Sequence, residues 1–283
     1  MKALMLAALL ALSLPAAAQP ITRFTVSISG QGPDIILVPG LASSGAVWDA
    51  TANDLAQAHR VHVVHVAGFA GAAASANAEG PVLAPLVAAL GAYAAELDRP
   101  ALIGHSLGGL VGLEIAARQP GTLSRLLVVD ALPFYALIFS PLATVDTVAP
   151  QAKLLRDQML AAPDTAYAQS QTASVANLVK SEAARARVLQ WALESDRRVV
   201  ATAMHEDLID DARARLPLVE IPVTIVYAYD PAMGRAAAAV DELYSSAYSG
   251  LGGAKLRRID GGYHFIMLDQ PEAFAREVEA FLR

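Results

Sequence analysis

The chain has 283 residues, 55% of them apolar, a net charge of −6 and no cysteine. That composition allows a large core and excludes a disordered chain or a disulfide scaffold; with Lys and Arg scattered, it also argues against nucleic acid as a partner. The length suits one large α/β domain with an insertion.

Residues 1–18 carry one early lysine, an apolar run from Ala3 to Leu14 and small residues at Ala16, Ala17 and Ala18. This is the pattern of a secretory signal peptide cut near Ala18 and Gln19. The run is short for a membrane span, so the expectation is an exported protein, periplasmic or secreted, with no stable membrane insertion after cleavage. Without cysteine, such a protein is held together by its core alone.

Ile21–Ser29 alternates around Phe24, Val26 and Ile28 and reads as a half-buried edge strand ended by Gly30–Pro33. Asp34–Val38 reads as a fully buried strand running into the small-residue loop Pro39–Gly45, where backbone amides can face a ligand. A helix with Trp48 and Leu55 in the core follows. Arg60–Ala67 is another strand. It brings His59, His62 and His65 close in sequence, but positions 62 and 65 point to opposite faces of an extended chain, so no metal is assigned. Gly68–Gly80 is a loop of small residues expected to border the site, and Pro81–Leu97 is an amphipathic helix.

Leu102–Leu110 organises the rest. Pro100–Ile103 suits a buried parallel strand, and Leu107–Arg118 carries helical spacing that stops at Gln119–Gly121. Between them Gly104 and Gly108 bracket Ser106, the small neighbours that a sharp strand-to-helix turn needs to push a serine outward. The plainer alternatives are a serine that caps the helix or a phosphate cradle; the lysine of a phosphate loop is missing.

Ser124–Asp130 is the next strand. From 132 to 216 the chain reads as helical, punctuated by Pro133, Pro141, Pro150 and Pro163, and an all-helical insertion between parallel strands is expected to cap the carboxyl edge of the sheet. This divides the chain into a core of residues 19–131 and 217–283 and a cap of 132–216. Phe134, Tyr135 and Phe139 are the candidate pocket wall. His205–Asp207 with Asp210 and Asp211 reads as a solvated acidic helix end. Strands over Ile221–Tyr227 and Lys255–Ile259 complete the sheet, with helices over Ala236–Tyr248 and Glu272–Leu282.

Strand ends thus place Ser106, Asp130, Asp230 and His264 along one edge. A serine hydroxyl needs a neutral imidazole to take its proton, and the imidazole needs a carboxylate to fix its tautomer. His264, on a loop after two glycines, is the base; Asp230 is the preferred acid and Asp130 the fallback. His105 is expected to support the turn or line the site.

Gly104–Gly109, Pro39–Leu41, the helical insertion and Gly262–Phe265 together resemble the α/β-hydrolase superfamily, over essentially the whole mature chain. The resemblance implies a mostly parallel sheet flanked by helices, with Ser106 as nucleophile, His264 as base, and the amides of Leu41 and Leu107 as oxyanion donors. Pro39–Gly40 stands where relatives often carry His-Gly, and Ala228–Pro231 departs from the usual glycine-containing acid turn. The expected function is hydrolysis of a small carboxylic ester through an acyl-enzyme, with no cofactor. A lactonase, amidase or C–C bond hydrolase on the same residues, or a non-catalytic binding protein on this frame, are the alternatives. A serine rather than an aspartate at the turn argues against dehalogenase or epoxide hydrolase chemistry.

Overall fold

Alternate residues of the apolar runs go to opposite faces of one sheet. In the computed structural model, which describes residues 22–283, the chain runs β1 (Phe24–Ser29), β2 (Asp34–Val38), α1 (Asp49–Leu55), β3 (Arg60–Val66), α2 (Leu83–Ala95), β4 (Ala101–His105), α3 (Leu107–Arg118) and β5 (Arg125–Val129). The insertion holds α4 (Val145–Ala161), α5 (Asp164–Leu178), α6 (Glu182–Glu194) and α7 (Arg197–Ile209). After it come β6 (Val223–Tyr229), α8 (Ala237–Ala247), β7 (Lys255–Asp260), α9 (Ile266–Asp269) and α10 (Pro271–Leu282). The leader read over residues 1–18 lies outside the described residues.

The strand order is β1-β3-β2-β4-β5-β6-β7. β1 pairs antiparallel with β3 and every other pairing is parallel. Ile36, Val38, Leu102 and Val128 meet α2, α3 and α8 on one face, while Ile35, Leu37, Ile103 and Leu127 meet α1 and α10 on the other. This explains why the central strands are apolar at every position whereas β1, at the edge, alternates. On α10 the buried residues are Phe274, Val278 and Phe281, at helical spacing, and Trp48 is fully buried against Phe274. Each such side chain contributes about 2 kcal/mol by leaving water.

The insertion has no separate core. Val199, Val200 and Ala203 of α7 join the first cluster, and Val188 and Trp191 of α6 join the second. Its helices are otherwise polar and strongly capped: Thr144 and Thr147 form a capping box on α4, and Asp196 accepts from Arg198 N and Val199 N at the start of α7. α4 continues through Pro150, which the sequence marks as a break. Among the described residues no helix is long and apolar enough to cross a membrane.

Candidate active site

β4 ends in a turn that only small residues can flank. A Cβ on Gly104 would lie 2.2 Å from Gly108 O, and one on Gly108 would lie 2.4 Å from Val38 O. Ser106 sits between them at φ 53°, a conformation costing a non-glycine residue about 1–3 kcal/mol, and its side chain makes no capping bond to α3. The helix-cap alternative is thereby removed, and the hydroxyl is left half-buried at the carboxyl edge. The loop after β2 passes directly against this turn, since a Cβ on Gly40 would come within 3.0 Å of Ser106 Cβ and 2.9 Å of His105 Nδ1. That approach brings the Leu41 backbone beside the serine, while Leu107 opens α3, where amides have no partner within the helix. Ala42 and Asp130 are also at positive φ, 54° and 48°. Three strained non-glycine residues therefore follow the adjacent strands β2, β4 and β5.

The acid facing His264 is Asp130, not Asp230. His264 Nδ1 lies 2.7 Å from Asp130 Oδ2, with the two side chains 19% and 11% exposed. Asp130 Oδ1 accepts from Ala228 N at 2.9 Å and from the Tyr244 hydroxyl at 3.1 Å. Burial, reinforced by Asp130, pushes the Tyr244 phenol well above its ordinary range, so it stays a donor. Asp230 is engaged elsewhere. Its Oδ2 accepts from Lys180 Nζ at 2.6 Å and its Oδ1 caps the turn at Pro231–Met233 through Ala232 N. Lys180, at the α5–α6 junction, is fifty positions away in sequence, and no local pattern links the two.

Further groups hold the histidine loop. His105, fully buried, donates from Nε2 to the His264 carbonyl at 3.0 Å, and its ring packs at a tilt with its centroid 4.5 Å from that of the His264 ring. Burial first, and the neighbouring His264 second, hold its pKa well below the ordinary value, so it stays neutral in this supporting position. Asp269 accepts from Tyr263 N as well as from Lys180 N and Ser181 N, tying the loop to the cap. The Gly68–Gly80 segment docks on the cap: Ala70 N donates to Ser195 Oγ at 2.8 Å and Asp196 N to Gly68 O at 2.8 Å.

The expected pocket wall divides. Phe134 is a core side chain, fully buried with the Arg213 guanidinium 5.0 Å from its ring, and Phe139 is 70% exposed. Tyr135 is half-buried and packs edge-on against the Phe139 ring. Its phenol is pushed up to about 12, first by burial and then by Asp207 and Asp130. The acidic end of α7 is not a solvated face either. Glu206 accepts from Val82 N and Leu83 N at the start of α2, Asp211 pairs with Arg213, and Asp210 pairs with Arg215, which also holds buried Glu114. Asp207 is pushed up to about 7 by burial and then by Asp210, with His264 opposing. Helical spacing puts it on the face shared with Ala203 and Asp210, turned to the core, a signal available from the sequence once α7 is placed. His62 and His65 have separate partners, Asp34 with Tyr93 and Ser27. No cluster of three or more His, Asp or Glu able to hold a metal occurs among the described residues.

A doubly flanked, mostly parallel sheet with a bracketed serine turn, a histidine after the last strand and a helical insertion defines an α/β hydrolase. The chain belongs to the alpha/beta hydrolase family, whose model matches residues 35–277. Among curated proteins it is similar to the pimeloyl-[acyl-carrier protein] methyl ester esterase of Vibrio atlanticus, 37% identical over 114 residues. That match covers 40% of this chain and 42% of the relative. The esterase of the same name from Vibrio campbellii is 39% identical over 107 residues, 38% of this chain and 40% of the relative. The chain thus spans about two fifths of the length of these relatives. Among solved structures, a hydrolase from Pseudomonas aeruginosa superposes with a TM-score of 0.74 at 23% identity, covering 92% of this chain and 94% of the other. An enol-lactonase from Burkholderia xenovorans superposes at 0.70 and 18%, covering 92% and 96%. These likenesses concern the fold.

Proposed function

We propose that the protein hydrolyses small carboxylic esters through an acyl-enzyme formed on Ser106. The observation that carries this is the Asp130–His264 hydrogen bond at the edge where the serine turn projects. With Nδ1–H donated to Asp130, Nε2 is the nitrogen left to act as base. Ser106 Oγ attacks the ester carbonyl carbon as its proton passes to His264 Nε2, and the carbonyl π electrons move onto oxygen. The amides of Leu41 and Leu107 hold that oxyanion. Collapse breaks the bond to the alkoxy oxygen, which leaves as an alcohol carrying the proton from His264. Water then attacks the acyl-serine, gives its proton to His264, and the carboxylic acid departs as the serine is regenerated. The curated relatives, named as methyl ester esterases, support an ester as the substrate. The cap, residues 132–216, supplies the roof of this site, and the leader supports a periplasmic or secreted location.

The test is hydrolysis of p-nitrophenyl esters from acetate to long acyl chains by the full chain and by Ser106→Ala, with fluorophosphonate labelling of both. Turnover and labelling by the wild type, lost by about a millionfold in the variant, is the expected result. A folded wild-type protein that neither labels nor turns over any ester overturns the reading.

A further inference from the structure

Asp230 and Asp269 take no part in the proposed chemistry, yet both are engaged by the same short piece of the cap, the junction Leu178–Ser181 between α5 and α6. A non-helical link between two helices carries backbone donors and acceptors that must find partners outside it. Here they meet the segment Gly261–Asp269. Asp269 Oδ1 accepts from Ser181 N at 3.0 Å and from Lys180 N at 3.1 Å, while Oδ2 accepts from Lys180 N at 3.0 Å and from Tyr263 N at 2.9 Å. Leu178 O accepts from Phe265 N at 3.2 Å. Lys180 Nζ donates to Gly261 O at 3.2 Å and to Asp230 Oδ2 at 2.6 Å. Val179, in the middle of the junction, is fully buried in the same core cluster as Phe265 and Met267.

The two sides of the molecule divide the histidine loop between them. His264 itself is held by the core, through its carbonyl on His105 Nε2 and its Nδ1 on Asp130. The backbone on either side of it is held from the cap, at Gly261 and Tyr263 before it and at Phe265 after it. Asp269 is the shared post, one charged carboxylate accepting from three amides on two separate segments, and bonds to an ionised acceptor are the stronger kind. A displacement of α5 or α6 is therefore passed to the residues that flank the base. A shift of about 1 Å in a reacting group can cost about a hundredfold in rate, so this coupling bears on the chemical step.

We propose that Lys180 and Asp269 are positioning residues for His264: they latch the α5–α6 junction to the histidine loop, so that the cap sets the alignment of the imidazole with Asp130. The effect on turnover rests on the ester-hydrolase reading. Asp230, the acid preferred on the sequence pattern, serves the same histidine at one remove, by holding the ammonium of Lys180 beside Gly261 O.

The test uses the full chain with Asp269→Ala, Asp269→Asn and Lys180→Met. Two quantities are read: steady-state hydrolysis of p-nitrophenyl butyrate, and the downfield proton resonance of His264 Nδ1–H in its bond to Asp130, assigned through His264→Gln. Asp269→Ala is expected to lower kcat about thirtyfold with KM within about twofold of the wild type, and to shift or broaden the resonance. Asp269→Asn keeps one acceptor oxygen and is expected to recover part of the loss. Lys180→Met, at a half-exposed side chain, is expected to lower kcat about fivefold, and it decides the matter if Asp269→Ala does not fold. Folded variants with lower stability but unchanged kcat and resonance would show a merely structural role and overturn the latch, as would a loss confined to KM; in both cases the hydrolase stands. If the wild type cleaves no ester but its resonance is lost in the variants, the hydrolase reading falls and the latch stands. A resonance absent from the wild type, or unchanged in the folded variants, overturns the latch.

Discussion

The sheet carries two carboxylate–imidazole pairs of the same chemistry at its two ends. At the amino end of β2 and β3, Asp34 Oδ1 lies 2.8 Å from His62 Nε2, and His62 Nδ1 lies 2.6 Å from the Tyr93 hydroxyl. Arg60 adds two further bonds to the same carboxylate and, ahead of His62, holds its pKa below the ordinary value. Both His62 nitrogens are occupied and the ring is 1% exposed. At the carboxyl end, His264 has one nitrogen on Asp130 and a partly open ring. The closed pair is a strut; the open pair can move a proton. What separates them is access, because a base needs its second nitrogen free toward a cleft, and ligands of a parallel sheet bind outside the carboxyl ends of its strands.

Exchanging single groups sharpens the contrast. Asp130→Asn is expected to lower kcat for p-nitrophenyl butyrate by about ten-thousand-fold, through loss of the tautomer that leaves Nε2 free, whereas Asp230→Asn is expected to change it less than about tenfold. The reverse order, measured by steady-state kinetics, would move the proposed acid to Asp230. His62→Gln should leave kcat within about twofold but cost about 2–3 kcal/mol of stability, since it strips a partner from buried Asp34. Denaturant unfolding reads that loss, and a fall in kcat at unchanged folding would mean that the closed pair takes part in catalysis.

The smallest effect concerns Asp207. Unfolded, its carboxyl titrates near 3.8; folded, near about 7. Between those values the folded protein holds a proton that the unfolded chain has released, so this group's contribution to stability is present at low pH, falls as pH rises from about 4 to 7, and levels off above. Asp207→Asn is expected to flatten that part of the profile and to gain on the wild type toward pH 8. Parallel profiles from unfolding at a series of pH values would show that the carboxyl is not shielded from water.

Much of the frame was legible in order. α3 spans Leu107–Arg118 as its spacing predicts, six of the seven strands fall within two residues of their apolar runs while β1 begins at Phe24, and the glycines around Ser106 mark a real steric collision. These features are local, governed by backbone geometry and by which side chains leave water. The partner of His264 was not legible, because Asp130 and Asp230 both follow apolar strands and differ only in what reaches them. Phe134 and Tyr135 likewise stand side by side in sequence, yet one is fully buried in the core and the other half-buried, since a short turn of 3₁₀ helix at Tyr135–Ile138 rotates them apart. The chain by itself determined the strands, the serine turn and the histidine loop, which depend on neighbours a few residues away. Tertiary structure alone decided which carboxylate meets the imidazole and which acid of α7 is shielded from water. The first of those outcomes turns on partners fifty or more positions away, since Asp130 is met by His264 and Asp230 by Lys180.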